Sequence, residues 1–190
     1  MIDYFEILNQ PRRPWLDSQS LKVAFNQMAA RRHPDVESTG DGALFIELNS
    51  AYATLRQPAL RLRHLLELVQ PGANAGSRVI PSGLSDVFME LAARRGGLES
   101  FLEKQSKASS PLVRALLSEE RVAIRGQWKA MKSRVENAWA EAEVRLRELD
   151  AGWLAAGAAA YDPLRQLQQE LAYLARWTAQ IHEALVSIEL

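Results

Sequence analysis

Three consecutive residues, His33-Pro34-Asp35, place two groups able to do chemistry on either side of a proline. An imidazole and a carboxylate flank a proline whose ring fixes the backbone at little entropic cost. That arrangement suits recognition, because it presents a hydrogen-bond donor and acceptors on a stiff corner. It does not suit catalysis alone, and no nucleophile motif or phosphate-cradling glycine loop accompanies it. His33, His64 and His182 are far apart and lack metal-ligand spacing, so no metal site is expected. The chain has no cysteine, which excludes disulfides, thiolate metal sites, cysteine nucleophiles and direct cysteinyl ligation of an iron–sulphur cluster. No cofactor and no enzymatic activity of its own are expected.

The corner needs elements to hold it out. Leu16 to Asp35 reads as a helix with a capped start and a forced stop. Asp17 or Ser18 supplies the cap, and Leu21, Phe25 and Met28 form an apolar face at helical spacing. Pro34 pushes His33 out of helical geometry and ends the helix. A polar loop follows from Val36 to Gly42, with Asp41 as a cap for a helix from Ala43 to about Arg56. Two antiparallel helices joined by a loop carrying His-Pro-Asp are therefore the expected central unit. Ahead of them, Tyr4 to Leu8 reads as a short helix and Asn9 to Pro14 as a proline-bearing loop. Behind them, Pro58 opens a helix that buries Leu62, Leu65, Leu66 and Val69.

Pro71 to Gly83 is rich in Gly, Pro, Ser and Ala and separates helical patterns on both sides. It predicts a domain at 1–72, a linker at 73–83 and a second domain at 84–190. In the second domain, Ser85 is a candidate cap for a helix with Val87 or Phe88, Leu91, Leu98 and Leu102 on its stripe. Gly96-Gly97 is expected to interrupt or bend that helix. Ser110-Pro111 starts a long helix whose stripe runs from Leu117 through Trp128, Met131 and Val135 to Trp153. Gly152 to Tyr161 is ambiguous between helix and loop. Asp162-Pro163 starts the last helix, with Leu164, Leu167, Leu171, Leu174, Ile181, Leu185 and Ile188 inward. Trp128, Trp139, Trp153 and Trp177 read as bundle packing. The fold class is all-α, its C-terminal part an up-down-up three-helix bundle. The long stripe can pack within the chain or across a dimer, so self-association stays open.

The 190 residues carry 23 Lys and Arg against 23 Asp and Glu, a balance that argues against nucleic acid or an acidic membrane as a main partner. MIDYFEIL lacks the basic and apolar regions of a signal peptide, and no apolar run spans a bilayer. A cytoplasmic protein is expected.

The N-terminal third resembles a J domain, the module of DnaJ-type co-chaperones, in Tyr4, the Phe25-bearing helix, His33-Pro34-Asp35 and Asn49 to Leu55. More narrowly it resembles HscB-type co-chaperones of iron–sulphur cluster assembly, through DYFEIL, LDSQSLKVAFNQM and Leu48 to Leu68. The resemblance implies a J domain followed by a C-terminal three-helix domain. It implies binding to a DnaK-type ATPase chaperone and stimulation of that chaperone's ATP hydrolysis. It also implies delivery of a client, an iron–sulphur cluster scaffold protein. Chaperone-binding residues would be His33, Pro34, Asp35, Lys22, Asn26, Arg31 and Arg32. Lys22 is the full cation projecting with Asn26 and His33, and Arg32 stands where the family has an aromatic residue. Client-binding residues would be Phe88, Met89, Ala92 and Tyr173. Met89 and Tyr173 sit off the core stripes, so they are either an exposed contact surface or the completion of the bundle core. Ala93 and Gly96 stand where the family has acidic residues. The alternative is a helical interaction protein with a J-like hairpin that stimulates no ATPase.

Overall fold

The computed structural model describes residues 2–31, 42–72 and 80–189, and there all regular structure is helical. In order come α1 (Tyr4–Ile7), α2 (Ser18–Arg31), α3 (Gly42–Leu55), α4 (Pro58–Val69), a 3-10 turn (Ser82–Leu84) and α5 (Ser85–Lys107). Then follow α6 (Pro111–Ala156), a second 3-10 turn (Gly157–Ala160) and α7 (Tyr161–Glu189). No strand occurs among the described residues, as the all-α reading requires. No described helix is long and apolar enough to cross a membrane.

Contacts divide the chain into two units: Met1–Arg78 with Glu143–Leu171, and Val79–Ala142 with Ala172–Leu190. In the first unit α3 is the hub and packs against α1, α2 and α4. It contributes Leu48, Ala51 and Leu55, and α1 and its cap contribute Phe5 and Leu8, all five fully buried. Removing such apolar area from water supplies about 25 cal/mol per Å² toward folding. The expected inward face of α4 is observed, with Leu62, Leu65 and Leu66 buried. Stretches from both sides of the 73–83 segment make up this unit, because the last turns of α6 and the first turns of α7 belong to it.

In the second unit, α5 and α6 run antiparallel: Glu90 pairs with Arg134, and Lys104 with Glu120 at 2.8 Å. Arg125 of α6 meets Glu189 of α7 at 2.9 Å. Ser110 and Pro111 act as expected. The helix begins at Pro111, and the Ser110 hydroxyl accepts from the Val113 amide at 3.3 Å. The α6 stripe is also as expected, with Trp128, Met131, Val135 and Ala142 buried in this unit and Leu146 and Trp153 buried in the first. The ambiguous stretch resolves as helix to Ala156 followed by a 3-10 turn. Gly157 takes φ +52°, a left-handed position that a side chain would strain.

Three details differ from expectation. α7 begins at Tyr161, directly after the 3-10 turn, so Asp162 and Pro163 are its second and third residues rather than its cap and first residue. α5 runs unbroken through Gly96-Gly97. Each glycine costs a helix about 1 kcal/mol, but Leu91, Leu98 and Phe101 bury on either side and outweigh that. Ser85 is the first helical residue rather than the cap, because the 3-10 turn at Ser82–Leu84 leads directly into α5.

Candidate functional site

Two clusters of the expected site residues fall in different units, and each is built by its own neighbours.

The first cluster lies on α2. Asp17 is its cap: the carboxylate accepts the Ser20 amide at 2.7 Å, and hydrogen bonds from Ser20 hold its pKa below the ordinary carboxylate value. Leu21 is buried, and Phe25 stacks on Tyr52 of α3 with ring centroids 4.3 Å apart. That pair, together with the direct packing of α2 on α3, sets the two helices side by side. Lys22 and Asn26 are left facing solvent on α2. Arg31 closes the helix, but its side chain is outside the description. Arg32, His33, Pro34, Asp35 and the expected Asp41 cap lie outside the described residues.

The unit beneath that pair is held by buried polar groups. Asp3 caps α1, accepting from the Phe5 amide at 2.9 Å and the Glu6 amide at 3.4 Å. The remaining free amide, that of Tyr4, donates to Nε2 of His64 at 3.0 Å. That acceptor role requires His64 to be neutral with its proton on Nδ1. Burial pushes its pKa below the ordinary histidine value. Asp3, 3.9 Å away, opposes that shift and Arg63 adds to it. The Tyr4 ring stacks on the imidazole at 4.6 Å. Arg61, 4% exposed, donates to the carbonyls of Pro14 and Leu55, each at 2.8 Å. Burial lowers its pKa to about 10, against the pull of Asp150 and Glu143, so it stays charged at neutral pH.

The connection from α1 to α2 is fastened from the far end of the chain. The Asp150 carboxylate accepts from Arg13 at 2.6 Å and from the Trp15 amide at 3.1 Å. Trp153 Nε1 donates to the Arg12 carbonyl at 3.0 Å. Sequence reading met Arg61 only as part of the HscB-like run Leu48 to Leu68, and gave neither it nor Asp150 or Arg13 a structural role. No local spacing marks them, since the partners of Asp150 are more than a hundred residues away.

The second cluster is an apolar patch in the other unit. Met89 is 67% and Phe88 39% exposed, and Ala92 is exposed one turn further along α5. Tyr173 of α7 is half-buried. Trp177 joins them: it is buried, 6.5 Å from the Phe88 ring and 5.7 Å from the Tyr173 ring, centroid to centroid. The structure therefore brings Phe88 and Tyr173 to one site over a tryptophan floor. Sequence reading placed Trp177 in the bundle packing, which is correct, but missed its second role under these two rings. Its position four residues after Tyr173 was the available signal. Of the two residues offered for the α5 stripe, Val87 is the buried one.

An all-helical chain with α2 braced on α3, a His-Pro-Asp connection in the sequence between them and a helical bundle beyond has the architecture of J-type co-chaperones. Comparison with known proteins agrees with the resemblance seen in the sequence. No family model matches the chain. The chain is 38% identical over 72 residues to the co-chaperone protein HscB homolog of Bordetella avium, covering 34% of this chain and 43% of that protein. It is 32% identical over 116 residues to the chaperone protein DnaJ of Nostoc punctiforme, covering 57% of this chain and 30% of that protein. The chain thus spans less than half the length of these curated relatives. Among solved structures, human co-chaperone HscB superposes with a TM-score of 0.64 at 19% identity, over 100% of this chain and 84% of that one. Chaperone HscB from Vibrio cholerae gives 0.53 at 20% identity, over 96% of each chain. The structural likeness establishes a shared fold.

Proposed function

We propose that this chain is a cytoplasmic J-type co-chaperone that binds a DnaK-type ATPase chaperone, stimulates its ATP hydrolysis and brings it a client. In this reading residues 1–72 face the chaperone through His33-Pro34-Asp35, with Lys22, Asn26, Arg31 and Arg32 beside it. Residues 84–190 hold the client through Phe88, Met89, Ala92 and Tyr173. The client is an iron–sulphur cluster scaffold protein. The observation that carries the reading is the brace itself. The Phe25–Tyr52 stack couples the two helices that the His-Pro-Asp segment connects, while Lys22 and Asn26 stay free on the outer face. Two helices already packed on each other need not be ordered when a partner binds. The ATP-hydrolysing site lies on the partner, so this chain acts as an adaptor.

ATP turnover by the cognate chaperone, measured with wild type and with His33→Gln, tests the reading. Wild type accelerates turnover and His33→Gln does not; equal acceleration by both rejects it. Charge reversal at Lys22 and Arg31 slows association, and the slowing shrinks as salt is raised.

The second reading, a helical interaction protein that stimulates no ATPase, draws on the sparse charge of α2, whose 14 residues include only Lys22 and Arg31 as cations. Recovery of partners from a lysate without any chaperone, together with unchanged ATP turnover, selects it.

A further inference from the structure

The charges around the Phe88–Tyr173 patch carry information that its apolar residues do not. Glu90, the carboxylate next to Met89, is bound by both Arg94 of its own helix and Arg134 of α6, so its charge is already neutralised. Arg176 lies over the Tyr173 ring, its guanidinium carbon 5.8 Å from the centroid, and is itself exposed. Arg95 is exposed and lies one turn past Ala92, on the Phe88 side of α5 by helical spacing. Neither Arg95 nor Arg176 forms an ion pair among the described residues. The other carboxylates of α5 are placed differently. Asp86 falls nearly opposite Phe88 around the helix; Glu99 is on the Phe88 side but a turn beyond Arg95, and Glu103, further still, pairs with Lys107. The unneutralised charges closest to the apolar residues are therefore guanidinium groups, one at each of the two helices that frame the patch.

We propose that the patch accepts a partner segment whose apolar side chains are flanked by carboxylates. The apolar side chains would cover Met89, Phe88 and Tyr173 over the Trp177 floor, and the carboxylates would meet Arg95 and Arg176, where planar guanidinium groups offer paired donors. This rests on the docking reading given above and specifies the chemistry of what docks. Exposed charge pairs steer encounter and reject like-charged sequences more than they add affinity, so the signature is selectivity.

The test is selection of a random dodecapeptide library on the full chain, on Met89→Asp, and on the double variant Arg95→Gln/Arg176→Gln. All three positions are exposed, and helix content by circular dichroism checks that the variants fold. Peptides enriched on wild type but not on Met89→Asp are expected to carry Asp or Glu beside a cluster of apolar residues. The double variant retains the apolar preference and loses the acidic one. A selected peptide binds the double variant about fivefold more weakly by fluorescence anisotropy, and the gap closes at high salt. Enriched peptides that are basic or indifferent to charge overturn this proposal while leaving the docking reading standing. Equal enrichment on wild type and Met89→Asp overturns both.

Discussion

The two units are held by different means. The buried polar residues among those described are Arg61, His64 and Asp150, and all three belong to the first unit. The second unit has its ion pairs at the surface, as at Lys104–Glu120 and Arg125–Glu189. Element length explains the contrast. α1 has four residues and the connection after it is irregular, so several amides and carbonyls there, such as those of Tyr4, Arg12, Pro14 and Trp15, are served by side chains. α6 has 46 residues and satisfies almost all its backbone internally, so its core can be apolar. Buried polar contacts tie a segment to one geometry, because a shifted register leaves them unpaired. An apolar seam and an exposed aromatic patch tolerate adjustment.

Asp150→Ala is expected to have the largest effect. It strands the Trp15 amide and frees Arg13, destabilising the first unit by about 2–3 kcal/mol. The matched change Glu90→Ala in the second unit should cost no more than about 1 kcal/mol, since its arginine partners reach solvent. Urea denaturation with hydrogen exchange resolved by unit checks both; equal losses would erase the contrast. Arg61→Met, which keeps the side-chain bulk but abandons the Pro14 and Leu55 carbonyls, should cost about 2 kcal/mol, read as faster exchange around the α1–α2 connection.

His64 sharpens the comparison through pH. Its folded pKa is below the ordinary 6.5, so the unfolded chain takes up the proton more readily. Its contribution is complete above that ordinary value and is lost as pH falls from there through the folded value. Urea midpoints at about pH 7.5 and about pH 5.5 should differ, and His64→Gln should flatten the difference. The smallest effect has the opposite sign. Gly96→Ala and Gly97→Ala, where an added Cβ meets nothing within 4 Å, should each stabilise α5 by about 0.5–1 kcal/mol in thermal melts.

Helix identity, the inward stripes and the starts at Asp17 and Pro111 follow from sequence alone. Each depends on residues within one or two turns of one another, where spacing maps directly onto a face or a cap. The resemblance to HscB-type co-chaperones was likewise legible, because it rests on residue identities along the chain. Only the tertiary structure decided that Asp150 and Trp153 fasten the connection ahead of α2, that Arg61 serves Pro14, and that Trp177 underlies Phe88 and Tyr173. A charged residue bound for burial looks like any solvated one until its partner is brought beside it. The pairwise energies of nearby residues likewise give no sign of which distant element will supply that partner.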